Sequence, residues 1–329
     1  MTKRLVCFGY FHPQLLQSIK YMYPSFFDEF DYEILTQKGI CTEEEMVEAF
    51  KKCDVFVGIR PITSTHLENA PNLKLIVTLS MGYDHIDIKA CTQKGIYVGY
   101  SPFHAVEATA DQALSLILAV SRQLYKGNKY IQDGKWTKIN YEICLGRNLF
   151  KKTVGFVGFG KIGQNLAKKM YYGWGSKILY HCRSDKNMEN YEFVEDVNDL
   201  FARCQIISVH LPYNKKTHHY IGKEQFNKIQ FDNFGLGAIF VNTSRGPIVD
   251  ESALVDALKG KKVWGAGLDV FENEPEINPE LLENENCFLT PHIGGSTSEA
   301  RYLLMDAMFS NIREFKKTGK PKYPVQELN

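Results

Sequence analysis

Along the chain, short runs of β-branched and aromatic residues alternate with longer stretches of helical spacing. In the first hundred residues these runs are RLVCFG, DYEIL, DVFVGI, LKLIVTL and GIYVGY. From Lys152 the pattern restarts as TVGFVGF, KILYH, QIISVHL, AIFVNTS, KVWGAGLDV and CFLTPH. Strands that alternate with helices build parallel sheets, and near-continuous apolar strands need cover on both faces. The pattern therefore predicts an α/β protein with two successive open, doubly wound parallel sheets. Between the two blocks lies HAVEATADQALSLILAVSRQL. Its apolar residues occupy more than one helical face, so this helix must be buried on several sides. A core helix and a helix packed across a dimer interface both meet that requirement. The last helix opens at Ser296-Thr-Ser-Glu299, the spacing of a capping box, and carries Leu304, Met308, Ile312 and Phe315 at helical intervals. Gly319 after Lys316-Lys317 is its stop signal.

A length of 329 residues fits two domains of roughly 150 each, with a cleft between them. The 39 Lys and Arg balance 38 Asp and Glu, so no basic excess is available for a phosphodiester backbone, and a small-molecule partner is expected rather than nucleic acid. Eight cysteines are scattered without a C-x-x-C or zinc-type pairing, which predicts reduced thiols, a cytoplasmic protein and no metal site. The adjacent His218 and His219 are a poor metal pair, because neighbouring side chains do not share a helical face. The first apolar run is stopped by His12-Pro13 before a signal-peptide cleavage pattern, and ALSLILAV is far short of the ~20 residues that span a bilayer, so no leader and no membrane association are expected.

Between an apolar strand and a helical segment stands Gly158-x-Gly160-x-x-Gly163. In that setting the glycines predict a dinucleotide loop: a tight turn, backbone approach to a pyrophosphate, and close packing of helix on strand. The amides opening the helix, around Lys161 and Ile162, would face the diphosphate with the helix dipole behind them. The next strand ends in KILYHCRSDK, where an Asp or Glu would accept from both ribose hydroxyls and favour NAD. His181 stands there instead, and Arg183 with Ser184 offers a guanidinium fork and a hydroxyl that suit a 2′-phosphate. This predicts NADP as the preferred cofactor, with NAD possible. The alternative is that Arg183 is a solvated charge and Asp185 serves as the carboxylate.

Three later strands finish in NTSRG, LDVFENEP and LTPH, and the carboxyl ends of a parallel sheet share one edge, where ligands bind. Arg245, Glu274 and His292 could meet there. An Arg grips a carboxylate bidentately, and a His held by a carboxylate passes a proton near neutral pH. That is equipment for reducing a 2-oxoacid with hydride from a nicotinamide.

GFVGFGKIG, NTSRGPIVDESAL, GLDVFENEP and LTPHIGGST, in this order, resemble the signatures of the D-isomer-specific 2-hydroxyacid dehydrogenase family over nearly the whole chain. The resemblance implies that Arg245 binds the substrate carboxylate, His292 is the general acid/base and Glu274 its partner. It implies that Asp269 and the backbone near Thr243 hold the nicotinamide carboxamide, and that Pro212 and Thr217 line the adenosine side. LSMGYDHIDIKACTQKGIYVGYSP is similar to the family's substrate loop, whose amides around Met81 and Gly82 would receive the carboxylate. EATAD, with Thr109 on the cofactor side, looks like the glyoxylate and hydroxypyruvate reductase branch; Tyr100 departs from the usual Asn.

The family fold implies a flavodoxin-like substrate domain, 1–101 with 296–329, closing over an inserted Rossmann cofactor domain, 102–295. It also turns the helix from about Ala105 to Leu124 into a homodimer element. Formate dehydrogenases of the family carry Gln in place of Glu274, and phosphite dehydrogenases Lys in place of Met81, so neither activity is expected. A phosphoglycerate dehydrogenase is the second reading, because Arg60 falls where that enzyme binds phosphate. No regulatory domain is expected after Asn329. A nucleotide-sensing corepressor is the reading from another class.

Overall fold

The computed structural model describes residues 3–11, 15–36 and 39–326. His12 and Pro13, the expected stop of the first apolar run, lie outside them. The chain divides into two compact units, Met1–Ala105 with Thr297–Asn329, and Val106–Ser296.

The first unit opens with β1 (Arg4–Phe8), β2 (Tyr10–Phe11), α1 (Leu15–Met22), α2 (Phe26–Glu29) and β3 (Phe30–Ile34). It continues through β4 (Gly39–Ile40), α3 (Glu43–Phe50), β5 (Val55–Gly58), α4 (Ser64–Leu67), β6 (Leu75–Thr78), α5 (Ile88–Gln93) and β7 (Tyr97–Gly99). Five strands pair in parallel in the order β3-β1-β5-β6-β7, the flavodoxin-like order with its switch point between β1 and β5. The two-residue strands β2 and β4 form a separate antiparallel pair that the apolar pattern does not predict.

The second unit carries α6 (Val106–Ser121), α7 (Leu124–Gln132), β8 (Thr153–Val157), α8 (Lys161–Trp174), β9 (Lys177–His181), β10 (Glu192–Phe193) and α9 (Val197–Arg203). After these come β11 (Ile206–Val209), α10 (Lys223–Lys228), β12 (Ala238–Asn242), α11 (Glu251–Lys259), β13 (Val263–Leu268), α12 (Pro279–Leu282) and β14 (Cys287–Leu289). Its sheet runs β10-β9-β8-β11-β12-β13-β14, parallel throughout, which is the Rossmann order extended by one strand. Helix α6 buries Ala110, Ala113, Leu116, Ile117 and Val120 against strands and α8 of its own unit. Leu114 and Leu118 pack against the same core while remaining partly exposed.

The final helix, α13 (Ser298–Thr318), returns to the first unit, where Leu304, Met308, Phe309, Ile312 and Phe315 join Val6, Phe8, Val55 and Val77 in one core. The expected capping box between Ser296 and Glu299 does not form. Thr297 is the cap and its hydroxyl accepts from the Ala300 amide at 3.1 Å, because helical geometry starts one residue later than the motif suggests. Gly319 closes the helix at φ +79°, as its sequence position predicts.

Asn311, fully buried on α13, fastens the helix to the strand-end backbone. Its amide donates to the Tyr100 carbonyl at 3.0 Å, and its carbonyl accepts from the Tyr323 amide at 2.8 Å. Substituting Asn311→Ala orphans both backbone groups, and each buried unpaired group costs about 1–3 kcal/mol. Urea unfolding of Asn311→Ala is therefore expected to show a loss of about 2–4 kcal/mol, with Asn311→Asp, which keeps the acceptor, between the two.

Candidate active site

Strands β12, β13 and β14 are neighbours in one parallel sheet, so the loops that leave their carboxyl ends are neighbours as well. The first loop is stapled by Asn242. Its side-chain oxygen accepts from the Ser244 amide at 3.0 Å and the Ser244 hydroxyl at 2.7 Å, and its amide donates to the Arg245 carbonyl at 3.0 Å. Gly246 follows, where an added Cβ would stand 1.9 Å from the backbone carbon and oxygen of Phe271. Only glycine lets the Arg245 turn rest on the loop that carries Glu274.

That second loop leaves β13 at Asp269. The Glu274 Oε1 accepts from the Phe271 amide at 3.0 Å, and Oε2 lies 2.8 Å from His292 Nδ1. A carboxylate accepts, so Nδ1 carries the hydrogen and Nε2 remains for proton exchange. The hydrogen bond to Glu274 lifts the His292 pKa above its ordinary 6.5, against burial and the Arg245 charge, with the Glu274 and Asp269 charges adding to the lift. For Glu274, burial pushes upward, but the His292 bond and charge, the Phe271 amide and Arg245 together hold it below its ordinary value. The pair is therefore an ionised carboxylate on a readily protonated imidazole.

His292 has φ +53°, left-handed backbone for a residue with a Cβ. Its amide lies 2.9 Å from the Asp269 carbonyl and 3.0 Å from that of Thr290. The Asp269 side chain, 1 % exposed, accepts from the Thr290 hydroxyl at 2.6 Å and from the amides of Ile293 at 2.9 Å and Gly294 at 2.7 Å. The Thr109 hydroxyl donates to the Gly294 carbonyl at 3.3 Å. Asp269 and Thr109, both assigned to the cofactor by resemblance, thus have their polar atoms engaged in this loop. Neither motif spacing nor composition betrays that use.

At the dinucleotide loop, Gly158 has φ +91° and sits so close to the end of the neighbouring strand β11 that a Cβ would be 2.6 Å from the His210 backbone. Gly160 is the N-cap of α8, with no side-chain cap among the described residues, so the helix start presents amides and the positive dipole end. The Thr243 hydroxyl oxygen is buried and has no hydrogen-bond partner among the described residues, as expected of a group awaiting a ligand. These features fit a nicotinamide dinucleotide. Thr217 donates to the Pro212 carbonyl at 2.9 Å and accepts from the Asn214 amide at 2.8 Å, which fixes the turn between them.

His181 is turned inward. Nδ1 lies 3.1 Å from the Val194 carbonyl and Nε2 2.8 Å from the Tyr220 hydroxyl. Asp185 accepts from the Tyr180 hydroxyl and from the Asn187 amide at 2.8 Å. The Tyr180 bond, followed by that amide, holds its carboxyl below the ordinary range. Arg183 and Ser184 are exposed, and among the described residues Arg183 makes no ion pair.

In the first unit, the loop after β6 is threaded by one chain of hydrogen bonds. The His85 Nε2 is 3.1 Å from the Thr78 hydroxyl, which is 2.8 Å from the Ser80 hydroxyl, and Ser80 donates to the Gly82 carbonyl at 2.5 Å. This fixes the peptide orientation at Met81 and Gly82. Arg60, the residue behind the phosphoglycerate reading, donates to the Cys41 carbonyl at 2.8 Å. His219 pairs with Glu272 at 2.5 Å, and among the described residues no group of three or more His, Cys, Asp or Glu could hold a metal.

A family model for the NAD binding domain of D-isomer specific 2-hydroxyacid dehydrogenases matches residues 114–294. A glyoxylate reductase of Thermococcus litoralis is 43 % identical over 285 residues, 84 % of either chain. A glyoxylate/hydroxypyruvate reductase B of Escherichia fergusonii is 34 % identical over 276 residues, 82 % of this chain and 84 % of that one. The crystal structure of a glyoxylate reductase from Paecilomyes thermophila superposes with a TM-score of 0.83 at 27 % identity, covering 99 % of both chains. The chain belongs to the D-isomer-specific 2-hydroxyacid dehydrogenase family.

Proposed function

We propose that this protein reduces a small 2-oxoacid, glyoxylate or hydroxypyruvate, to the D-2-hydroxyacid with NADPH as the preferred reductant, as a homodimer in the cytoplasm. The observation that carries the reading is the His292–Glu274 pair at 2.8 Å beside Arg245. Arg245 binds the substrate carboxylate. A nicotinamide, when bound, would supply the hydride. His292 Nε2 gives its proton to the oxygen that gains the electron pair, and Glu274 holds the imidazole protonated until then. Gly158, Gly160 and Gly163 with the amides at Lys161 and Ile162 would hold the diphosphate, the backbone near Thr243 with Asp269 and Thr109 the carboxamide, and Pro212 and Thr217 the adenosine. Two relatives named for glyoxylate reduction, one also for hydroxypyruvate, favour these substrates.

The preference for NADPH rests on the exposed Arg183 and Ser184, on the inward turn of His181, and on Asp185 being drawn to Tyr180. No observation favours the phosphoglycerate reading, since Arg60 is directed at a backbone carbonyl. A second copy of the chain would cover the exposed Ile131, Trp136, Ile139, Tyr141, Leu145 and Phe150, a density of apolar side chains that a monomer rarely leaves to water.

The direct experiment is a nicotinamide-absorbance assay of the purified protein with both cofactors and a panel of 2-oxoacids; absence of turnover with all of them would sink the reading. Reduction requires protonated His292, so kcat/KM should be flat at low pH and fall as pH rises through a midpoint above 6.5. Glu274→Gln should bring that midpoint down toward 6.5 and slow the reaction, whereas an unmoved midpoint would exclude Glu274 as its cause. Arg183→Ala should weaken NADPH by roughly 10–100-fold, the scale of a charge-assisted bond, and leave NADH nearly unchanged. Equal losses would mean that Arg183 does not meet the 2′-phosphate. Sedimentation should give a dimer for the wild type and a monomer for a Trp136→Glu, Leu145→Glu double variant; a monomeric wild type would refute the interface.

A further inference from the structure

His292 keeps its left-handed backbone only if the loop on either side of it is pinned, and the pin is the Asp269 carboxylate. What aims that carboxylate is a second question. On its Oδ1 side stands the Thr290 hydroxyl at 2.6 Å, and behind Thr290 stands the Gln112 side-chain nitrogen at 2.9 Å, reaching across from α6. The direction of this chain is fixed by chemistry. An amide nitrogen can only donate, so Gln112 fills an acceptor site on Thr290 and leaves that residue's single hydroxyl proton to Asp269. Neither Gln112 nor Thr290 is an acid, a base or a cofactor ligand in the mechanism above.

We propose that Gln112 and Thr290 are positioning residues that, through Asp269, hold the 290–294 loop in the strained geometry that seats His292 on Glu274. The inference rests on the reading of His292 as the proton donor. Helix α6 is a stiff support for such a relay, because Ala110, Ala113, Leu116, Ile117 and Val120 anchor it in the core of its unit. Losing the relay lets Oδ1 of Asp269 swing and frees the Ile293 amide, which relaxes the backbone of the preceding residue. The imidazole then spends less time on Glu274, and the chemical step suffers while contacts to the substrate carboxylate do not.

Four variants test this: Thr290→Val, which keeps the shape without the hydroxyl; Thr290→Ser, which keeps the hydroxyl; Gln112→Leu; and Gln112→Glu. Thr290→Val should lower kcat by about 10–100-fold, the effect of misplacing a reacting group by an ångström or less, with KM for the oxoacid changed less than roughly threefold. Its pH profile should fall at lower pH than the wild type, because Glu274, Arg245 and Asp269 are the charges that act on His292 and the Glu274 contact is the one loosened. Thr290→Ser should restore kcat and the profile. Gln112→Glu should be worse than Gln112→Leu, since a carboxylate at 112 competes with Asp269 for the one Thr290 proton. A role in packing alone predicts the reverse order, glutamate being closer to glutamine in shape.

Wild-type kcat and pH limb in both Thr290→Val and Gln112→Glu, or leucine at 112 being worse than glutamate, would overturn the proposal. If Thr290→Val does not fold, the two variants at Gln112, a half-exposed position, carry the test. His292→Ala, measured alongside, separates the two levels. If it is inactive while the positioning variants behave as wild type, only the relay fails. If it retains turnover, the proton-donor reading itself has failed.

Discussion

A histidine in the left-handed region costs about 1–2 kcal/mol relative to ordinary backbone, so the loop after β14 must be held by more bonds than it would need at rest. His292, at φ +53°, has its own amide on the carbonyls of Asp269 and Thr290, its two following amides on the Asp269 carboxylate, and the Gly294 carbonyl on Thr109. The strain is local, and the restraint reaches from β13 to α6. What the arrangement secures is the direction of one imidazole, whose Nδ1 meets Glu274.

The remainder of the site follows from where parallel strands end. Because β12, β13 and β14 run side by side, Arg245, Glu274 and His292 leave the sheet at one edge although they are far apart in sequence. Gly246 removes the one Cβ that would hold the Arg245 turn away from the Phe271 backbone. The electrostatics are then self-consistent. Arg245 opposes protonation of His292, Glu274 outweighs it, and the carboxylate remains ionised because the imidazole and Arg245 favour its charge. At the other end of the same edge, the glycines of the dinucleotide loop and the uncapped start of α8 present amides where phosphate charge would lie.

The eleven apolar runs, the glycine loop and the three strand-end residues were legible in the sequence because each depends on periodicity or on spacing within a strand-loop-helix unit. The two-residue strands β2, β4 and β10 were not, since two residues carry no period. The cap of α13 is Thr297, one position past the Ser296 that the motif suggests, because Ser296, Thr297 and Ser298 are all competent caps and the backbone turn decides between them. Side-chain direction was the larger gap. That Asp269 turns toward the His292 loop, that His181 turns to Tyr220, and that Gln112 reaches Thr290 are facts of tertiary packing. Thr290 stood in a quoted motif, LTPH, yet nothing in its spacing marked the hydroxyl as a link between Gln112 and Asp269.

Glu274 makes the His292 imidazole easier to protonate and commits its ring hydrogen to Nδ1. Nitrogen NMR of the His292 ring, followed through a pH titration of the intact protein, reads this directly. Nδ1 is expected to stay protonated across the titration and Nε2 to lose its proton with a midpoint above 6.5. A midpoint at or below 6.5, or a neutral ring with its hydrogen on Nε2, would contradict it.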